Sequence, residues 1–304
     1  MKKHYDPSHW VIRDYEEFLL QERGLGPPTV NQYLCPVRRF LAYRFGNRRI
    51  QLKTIRPHDV TGFVLHDSSE RGRASLQTAT TAIRSFLGFL FQRSQTVVNM
   101  TTVVPAVAGW RESELPRFLE KAQVKRLLRN CDRRRKIGKR DFAILLLMAR
   151  LGLRAGEVAR LSLEQIKWKT AELEICGKGA QVDRLPLLQD VGAAIADYLQ
   201  KARPNCSCRH VFLRANRPFQ EVAGPSAISL IVRRTLKRAG LNPPHQGAHL
   251  FRHSLATWML RDGASLSEIG QVLRHRLNKT TEVYAKVDLA ALRALAQSWP
   301  GGAR

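Results

Sequence analysis

Residues 273–287 of the 304-residue chain read LRHRLNKTTEVYAKV, and they decide how the rest of the sequence is interpreted. The stretch carries one histidine, His275, and one tyrosine, Tyr284, nine residues further on, with basic residues around both. A tyrosine on a helix is most often a half-buried core residue. A chemical role for Tyr284 therefore depends on whether the rest of the chain supplies partners for it.

Three upstream motifs supply such partners. LGLRAGEVARL contains Arg154, CGKGAQVDRLPL contains Lys178, and HLFRHSLAT contains His249 and Arg252. Arginine forks match phosphate oxygens, and a histidine or a lysine can move a proton to or from a reacting oxygen. Together with a tyrosine, this inventory indicates attack of a phenolic hydroxyl on a phosphodiester without a metal ion.

The ordered set of these residues resembles the tyrosine recombinase (phage integrase) family, from about residue 8 to about residue 299. The resemblance rests on five short motifs in the family's order and spacing. The sequence departs from the family at Arg274, where a glycine usually precedes the histidine, and at Phe251, which replaces a leucine. Neither change removes a catalytic group, and Arg274 bears on the backbone conformation of that turn. The closing segment, YAKVDLAALRALAQSWP, is similar to that of mobile-element integrases.

The resemblance implies a role for each residue of the set. Tyr284 is the expected nucleophile, which forms a covalent 3′-phosphotyrosine, and Arg154 and Arg252 are expected to hold the phosphate oxygens. His249 and His275 are expected to donate hydrogen bonds to the phosphate or to relay a proton. His249 and Arg252 stand three residues apart, which places both on one face of a helix. The implied function is a site-specific DNA recombinase or integrase that works through a four-way junction.

A β-hairpin is predicted over residues 172–187, because apolar residues alternate on either side of the turn sequence GKGAQ. Lys178 lies at its tip, and the resemblance implies that this lysine protonates the leaving 5′ oxygen. Glu157, three residues after Arg154, is interpreted as a brace for that arginine rather than as an acid. No cofactor and no metal ion are expected in this chemistry.

The composition favours a polyanionic partner. The chain has 51 lysines and arginines against 25 aspartates and glutamates, a net charge of +26. Residues 1–114 hold 16 basic and 10 acidic residues, and the remainder hold 35 and 15. Neutralising phosphates releases counterions, so a basic surface of this size favours a polyanion, and charge alone also allows a basic ribosome-associated or merely soluble protein. The resemblance implies that the polyanion is double-stranded DNA. The lack of a signal peptide and of a long apolar run predicts a cytoplasmic protein without membrane contact, and the resemblance implies a bacterial protein on nucleoid DNA.

The five cysteines are expected to be reduced thiols. Cys206, Cys208 and His210 lie close together in the sequence and raise the question of zinc. Their spacing is not that of a usual zinc finger, and the sequence offers no fourth ligand nearby. The segment is therefore interpreted as a plain loop before a strand.

The fold class predicted is mainly α with a small β-hairpin, in a two-domain tyrosine recombinase architecture. Residues 1–93 are expected to form an N-terminal helical core-binding domain that clamps DNA, residues 94–115 a linker, and residues 116–304 an α+β catalytic domain with a C-terminal tail. Helices of the first domain are predicted at 8–23, from 26 onward, at 57–64 and at 75–93. Pro36 is expected to kink or split the second of them.

In the catalytic domain, helices are predicted at 120–130, 141–151, 156–161, 190–202, 225–239, 248–261, 265–273 and 280–287. Gly152 closes the second of these helices and brings Arg154 to the turn that follows. Tyr284 falls on the last helix. The tail, residues 289–299, has an apolar stripe that either packs in cis or docks on a neighbouring copy. The resemblance implies docking, and hence a tetramer on two DNA sites.

Basic residues of both domains are predicted to contact DNA: Arg38, Arg39, Arg44, Arg73, Arg84, Arg274, Arg276 and Lys279. Two alternative functions are open at this point. One is a type IB topoisomerase-like enzyme, which relaxes DNA as a monomer, and the other is a DNA-binding architectural protein that has lost catalysis. The core-binding domain and the apolar tail favour the recombinase over the first alternative, and the intact residue set argues against the second.

Overall fold

Three clusters of buried apolar side chains lie in the described part of the chain, one in the first of two units and two in the second. The computed structural model describes residues 9–107, 117–177, 182–275 and 278–284, with the backbone alone at residues 73, 74, 278 and 279. It divides into two units, Met1–Arg111 and Glu112–Arg304, and each cluster lies within one of them. No helix among the described residues is long and apolar enough to span a membrane.

The first unit is built from helices, as the sequence predicts. They are α1 (His9–Glu17), which runs on as a π-helical turn (Phe18–Glu22), α2 (Pro27–Phe45), α3 (Pro57–Glu70) and α4 (Arg73–Gln92), with short 3-10 turns at Leu52–Thr54 and Thr101–Val103. Pro36 was expected to kink or split α2, and the split is wrong, because the helix is continuous. The kink stays a prediction. Pro36 is itself buried beside Val37 and Phe40, so apolar burial offsets the cost of the missing hydrogen bond, about 3 kcal/mol.

Aromatic rings fill the core of the first unit. The centroids of Tyr15 and Phe86 lie 5.1 Å apart in an edge-to-face arrangement, and those of Phe18 and Phe89 lie 5.0 Å apart. Such pairs stabilise the packing of α1 on α4 beyond the area that they bury. Met100 is also buried in this core, so residues beyond 93 pack with the first unit. The expected domain boundary at residue 93 stays a prediction.

The second unit combines helices with a small antiparallel sheet. Its helices are α5 (Lys121–Arg129), α6 (Lys136–Leu151), α7 (Ala155–Arg160), α8 (Gln189–Lys201), α9 (Gly224–Arg238), α10 (His249–Arg261), α11 (Leu266–Val272) and α12 (Asn278–Glu282), with a 3-10 turn at Leu163–Gln165. The strands, in the sheet order β1-β2-β3, are β1 (Ile166–Lys167), β2 (Glu172–Cys176) and β3 (Val182–Pro186). This mainly helical architecture with a small sheet is the predicted fold class.

The predicted hairpin is present as β2 and β3. Leu173 pairs with Leu185 and Cys176 with Val182, and the side chain of Leu173 packs into the core. The first strand, β1, was not predicted, because two residues are too few to show the alternation that marks a strand. The tip of the hairpin, including Lys178, lies outside the described residues.

The end of α6 sets the position of the following turn. This helix is buried along most of its length and stops at Gly152, whose φ is +58°. A Cβ atom at residue 152 would lie 2.8 Å from Leu273 Cδ2 and 3.1 Å from Leu255 Cδ2. Only glycine fits both the left-handed backbone and this close approach. The turn that carries Arg154 is thereby held against α10 and the end of α11.

The last described helix, α12, ends at Glu282, so the prediction that Tyr284 lies on this helix is wrong. Residues 285–287 of the predicted helix lie outside the described residues. Tyr284 lies in the turn that follows, where its N–H donates to Thr281 O over 2.9 Å. The turn lets its ring pack among Ala256, Ile269 and Leu273. Residues 285–304, which include the C-terminal tail, lie outside the described residues.

Candidate active site

Arg154 and Glu157 form a pair at the start of α7. The backbone N–H of Arg154 donates to Glu157 Oε2 over 2.8 Å, and Arg154 Nη1 donates to Glu157 Oε1 over the same distance. The arginine side chain is 41% exposed, whereas the glutamate side chain is 4% exposed. Glu157 is therefore a buried brace, and the interpretation made from the sequence is confirmed. The guanidinium is oriented by this carboxylate and still reaches solvent.

Arg252 lies on α10 and is buried. Its Nη1 donates to Gly152 O over 2.8 Å, and its Nη2 donates to Leu273 O. Burial lowers the pKa of this guanidinium to about 10, and the neighbouring charges of Arg154 and Arg274 act in the same direction. The group is still a cation at neutral pH. Arg252 thus joins the turn before Arg154 to the turn before His275, a role that the sequence did not indicate.

A cavity of about 490 Å³ opens beside these turns. Five basic residues line it, namely Arg154, Arg160, His249, Arg274 and His275, together with the carboxylates of Glu157 and Asp183. Burial lowers the pKa of His249, and it lowers the pKa of His275 to about 4, with the Arg252 and Arg154 charges adding to both effects. His275 is therefore neutral at pH 7. Its Nδ1 lies 2.7 Å from Thr281 Oγ1, which fixes the orientation of the ring.

The predicted nucleophile lies behind this cavity. Tyr284 is 2% exposed, and its ring is parallel to that of His275, with the centroids 6.4 Å apart. Burial raises the pKa of the phenol to about 12, against a smaller lowering by Arg252. The hydroxyl is therefore protonated at neutral pH. The tyrosine touches one member of the predicted set, His275, and is not among the residues that line the cavity.

His253 is the partner of the Tyr284 hydroxyl. Its Nδ1 lies 3.0 Å from the tyrosine oxygen. Burial lowers the pKa of His253 to about 4, with the His249 charge as the next cause, so the ring is neutral at pH 7 and, with its proton on Nε2, its Nδ1 accepts a hydrogen bond from the phenol. From the sequence, His253 was interpreted as structural or DNA-contacting, without a catalytic role. The available signal was its position on α10, four residues after His249 and therefore on the same helix face.

The arginines predicted to contact DNA fall into different environments. In the first unit, Arg39 forms an ion pair with Asp67 at 3.0 Å, and Arg44 forms one with Asp59 at 2.8 Å. Arg84 donates to Val104 O over 3.0 Å, while Arg38 is exposed. Three of these four side chains therefore make contacts within the unit, which scattered sequence positions could not show. Among the remaining predicted residues, Arg276 and the side chains of Arg73 and Lys279 lie outside the described part of the chain.

The cavity holds no cluster of candidate metal ligands. Among the described residues, the His, Cys and carboxylate groups close enough together to share an ion are Cys208, His210 and Glu221. None of these three residues lines the cavity. The charge there comes from guanidiniums, which can stabilise a phosphate in the way that a divalent cation does elsewhere.

Comparison with known proteins identifies the family to which the chain belongs. Residues 117–290 match the phage integrase family, and residues 12–94 match the phage integrase N-terminal SAM-like domain. The y4rA protein of Sinorhizobium fredii (strain NBRC 101917 / NGR234), whose name describes an integrase/recombinase, is 46% identical over 293 residues, 96% of this chain and 71% of that protein. Tyrosine recombinase XerC of Lacticaseibacillus casei (strain BL23) is 27% identical over 291 residues, 93% of this chain and 95% of that protein.

Solved structures agree on the fold. The XerH site-specific recombinase bound to a palindromic difH substrate, in a post-cleavage complex, aligns with a TM-score of 0.70 at 18% identity, over 95% of this chain and 84% of that chain. The family match over more than half of the chain and the relative at 46% identity decide among the functions left open by the sequence. The chain belongs to the phage integrase family and is a site-specific tyrosine recombinase of the integrase type.

Proposed function

We propose that Tyr284 attacks a phosphodiester of double-stranded DNA at a specific site. The tyrosine oxygen bonds to phosphorus while the bond from phosphorus to the 5′ oxygen breaks, which leaves a 3′-phosphotyrosine and a free 5′ hydroxyl. A 5′ hydroxyl of a partner duplex then attacks the phosphotyrosine and releases the tyrosine through a four-way junction. One phosphoester bond forms for each one broken, so no ATP is required.

The observation that carries this proposal is the set of cationic and imidazole groups around one cavity next to the Tyr284 ring. Arg154 lines the cavity with a side chain that is 41% exposed, and its guanidinium fork suits two phosphate oxygens. His249 and His275 face the same space. Preoriented donors in a partly dry site stabilise the charge of a five-coordinate phosphorus more strongly than water does.

Two protons must move during cleavage. The tyrosine enters as a neutral phenol, because its pKa is raised to about 12. Its proton is proposed to pass to His253 Nδ1 at 3.0 Å as the oxygen–phosphorus bond forms, because that bond makes the phenolic proton acidic enough for an imidazole whose pKa is about 4. The leaving 5′ oxygen needs a proton in turn, and Lys178 is the proposed donor, through its ammonium group. One group accepts a proton and another donates one, so the step is balanced.

Trapping of a covalent protein–DNA adduct tests the proposal. A duplex that carries a candidate recombination site and a nick just 3′ of the scissile phosphate loses the short 5′-hydroxyl fragment by diffusion, so the adduct accumulates. Wild-type protein is expected to shift to a slower band on a denaturing gel and to retain label placed on the 5′ side of the break, because the tyrosine is bonded to the 3′ phosphate of that strand. Label retained on the 3′ side instead, or no adduct with any functional site, contradicts the proposed polarity or the proposed nucleophile.

The first unit is proposed to contact the duplex as a DNA-clamping domain. Its support is the match of residues 12–94 to the N-terminal domain of phage integrases and the exposed Arg38. The solved structures of XerH and of a lambda integrase dimer, which align with this chain, each contain a bound DNA site. Residues 94–115 are proposed as the linker, and binding at two sites is proposed to assemble a tetramer.

Deleting residues 289–304 is expected to separate binding from assembly. Single-site binding in a gel shift should change less than about threefold, because the removed segment holds two of the 51 basic residues. Paired-site synapsis and strand exchange should fall below detection, because an apolar stripe that docks on the next copy closes the ring of protomers. Sedimentation on paired sites provides the measurement, and normal synapsis by the truncated protein would show that the tail packs in cis.

A further inference from the structure

Arg274 occupies a backbone position that disfavours arginine. It follows the end of α11 with φ at +55°, in the left-handed region. The N–H of His275 donates to Gly270 O over 2.8 Å, and the N–H of Arg274 donates to Gln271 O over 3.0 Å. This pair of bonds defines a Schellman helix ending, in which the left-handed residue is usually glycine because a Cβ atom adds strain there. The local fold therefore gives no reason for an arginine.

The side chain of Arg274 is buried at the cavity. It is 7% exposed, and its Nη2 donates to Glu157 Oε2 over 2.8 Å. Its Nε lies 3.8 Å from Asp183 Oδ2, which is too long for a hydrogen bond. Within the part of the chain that the structure describes, Nε and Nη1 have no hydrogen-bond partner. The residue lines the cavity together with Arg154 and His249.

Positive charge exceeds negative charge around Glu157. Its Oε1 accepts from Arg154 and its Oε2 accepts from Arg274, so one buried carboxylate serves two guanidiniums. Asp183, 3.8 Å from Arg274 Nε, adds a second carboxylate without a hydrogen bond to that nitrogen. Arg252 adds a third positive charge that lowers the pKa values of nearby groups. Burying a guanidinium with unpaired N–H groups is unfavourable, and such groups together with backbone strain are concentrated at functional sites. An anion in the cavity would supply both the missing charge and the missing acceptor.

We propose that Arg274 is a third guanidinium of the active site. It binds a non-bridging oxygen of the target phosphodiester through Nη1 and keeps Glu157 on Arg154 through Nη2. The inference rests on the proposed cleavage reaction and assigns a further residue to the same phosphate. Because the negative charge of the phosphate is redistributed at the five-coordinate stage, a donor fixed there acts on the rate more than on the affinity.

Arg274→Gly separates this role from a structural one. A structural role predicts a lower melting temperature, whereas a role in catalysis predicts a slower reaction in a stable protein. Glycine loses the Nη2 bond to Glu157, but it relieves the left-handed strain and removes a buried guanidinium from beside Arg154, so the melting temperature is expected to stay close to that of the wild type. Single-site DNA binding should stay within about threefold, since one phosphate contact among many is lost. The rate of adduct formation should fall by about 10²-fold, the usual effect of removing one charge-stabilising donor. Arg274→Lys keeps the strain and a point charge and should recover part of the loss.

A methylphosphonate at the scissile position provides the second readout. This linkage lacks the negative charge that Arg274 is proposed to bind, so wild-type protein and Arg274→Gly should cleave it at equal rates. Wild-type rates on the normal phosphate for Arg274→Gly would overturn the proposal. A lowered melting temperature with equal losses on both substrates would also overturn it, in favour of a structural role. Failure of the wild type to form any Tyr284 adduct would instead contradict the proposed function.

A second, independent observation concerns the loop after α8. Cys208 Sγ lies 3.6 Å from His210 Nδ1, and Glu221 contributes a carboxylate oxygen, with the three ligand atoms within 4.8 Å of one another. Glu221 comes from the returning arm of the loop, where it forms a β-bridge with Leu213. Arg203 holds the outgoing arm through the carbonyl oxygens of Cys208 and His210. The fold thus brings together ligands that the sequence separates.

The spacing suits a tetrahedral zinc ion. Zinc–sulfur and zinc–nitrogen bonds of about 2.3 and 2.0–2.1 Å at a tetrahedral angle place the two ligand atoms about 3.5 Å apart. A thiolate and a carboxylate would also balance the charge of the ion. We infer that Cys208, His210 and Glu221 bind one Zn²⁺, with a water molecule as the fourth ligand, and that the ion joins the two arms of the loop. None of the three residues lines the active-site cavity.

Zinc titration of the purified, metal-stripped protein against a chromophoric chelator tests this inference. One equivalent is expected to bind and to raise the melting temperature, because an ion bound by the folded chain alone stabilises it. Cys208→Ser should abolish binding and Glu221→Gln should weaken it about tenfold. Cys176→Ser, at an exposed thiol outside the cluster, is the control. Absence of stoichiometric binding, or equal binding by Cys208→Ser, would refute the site.

Discussion

Tyr284→Phe is expected to abolish the covalent protein–DNA adduct while single-site DNA binding continues unchanged. The substitution removes the attacking oxygen and nothing else from the side chain. Loss of the nucleophile in a covalent mechanism lowers the rate by more than about 10³-fold, because no neighbouring group takes over its position. The buried ring should still pack among Ile269 and Leu273, and the lost contact with His253 Nδ1 should cost about 1 kcal/mol of stability.

A matched control for this variant is present in the same unit. Tyr198 is also 2% exposed, and its hydroxyl oxygen accepts a hydrogen bond from Leu213 N–H over 3.3 Å. Tyr198→Phe should therefore lose a comparable amount of stability and form adduct at the wild-type rate. The measurement is a labelled suicide substrate on a denaturing gel, with thermal unfolding in parallel. An adduct that persists in Tyr284→Phe, or that disappears equally in Tyr198→Phe, would remove Tyr284 from the role of nucleophile.

The parts of the fold that follow from periodicity were predictable from the sequence. The helices, the β2–β3 hairpin and the glycine that ends α6 all depend on local patterns, and the structure contains them. Events that depend on tertiary packing were not predictable. α2 continues through Pro36 because that proline is buried with its neighbours, and β1 forms because β2 offers it an edge. Tyr284 lies in the turn after α12 rather than on a helix, and its ring packs in a small core with residues of α10 and α11.

In the candidate site, too, local sequence patterns predicted some features, whereas others depend on tertiary packing. Motif order predicted which residues belong to it, and the structure places Arg154, His249 and His275 at one cavity. The direction of each side chain depends on partners distant in sequence. Arg252 donates to carbonyl groups 100 and 21 positions away. Its burial, like the ion pairs of Arg39 and Arg44, could not be inferred from their positions in the sequence.

Arg252→Met is expected to lower both stability and activity. The guanidinium is buried between Gly152 O and Leu273 O, and methionine fills a similar volume without any donor. Each carbonyl left without a partner costs about 1–3 kcal/mol, so the two together should lower the free energy of unfolding by roughly 3 kcal/mol. For a unit of this size, that corresponds to a fall of about 6–12 °C in the melting temperature.

The loss of activity should exceed what partial unfolding explains. Arg154 follows Gly152 by two residues, and His275 follows Leu273 by two, so Arg252 fixes the separation of two groups proposed to hold one phosphate. Releasing both turns should slow adduct formation by about 10²–10³-fold at a temperature where the variant is folded. Arg252→Lys should lose nearly as much rate, because one ammonium group cannot reproduce the fork between two carbonyls.

Arg154→Met is the control that separates the two effects of Arg252. Its side chain is 41% exposed, so its replacement should change the melting temperature by less than about 3 °C while adduct formation still falls about 10²-fold. Thermal unfolding and single-turnover adduct formation, measured on both variants, provide the comparison. Equal melting temperatures for Arg252→Met and the wild type would contradict the bridging role. Unchanged cleavage by a folded Arg252→Met protein would show that the two turns hold their geometry without it.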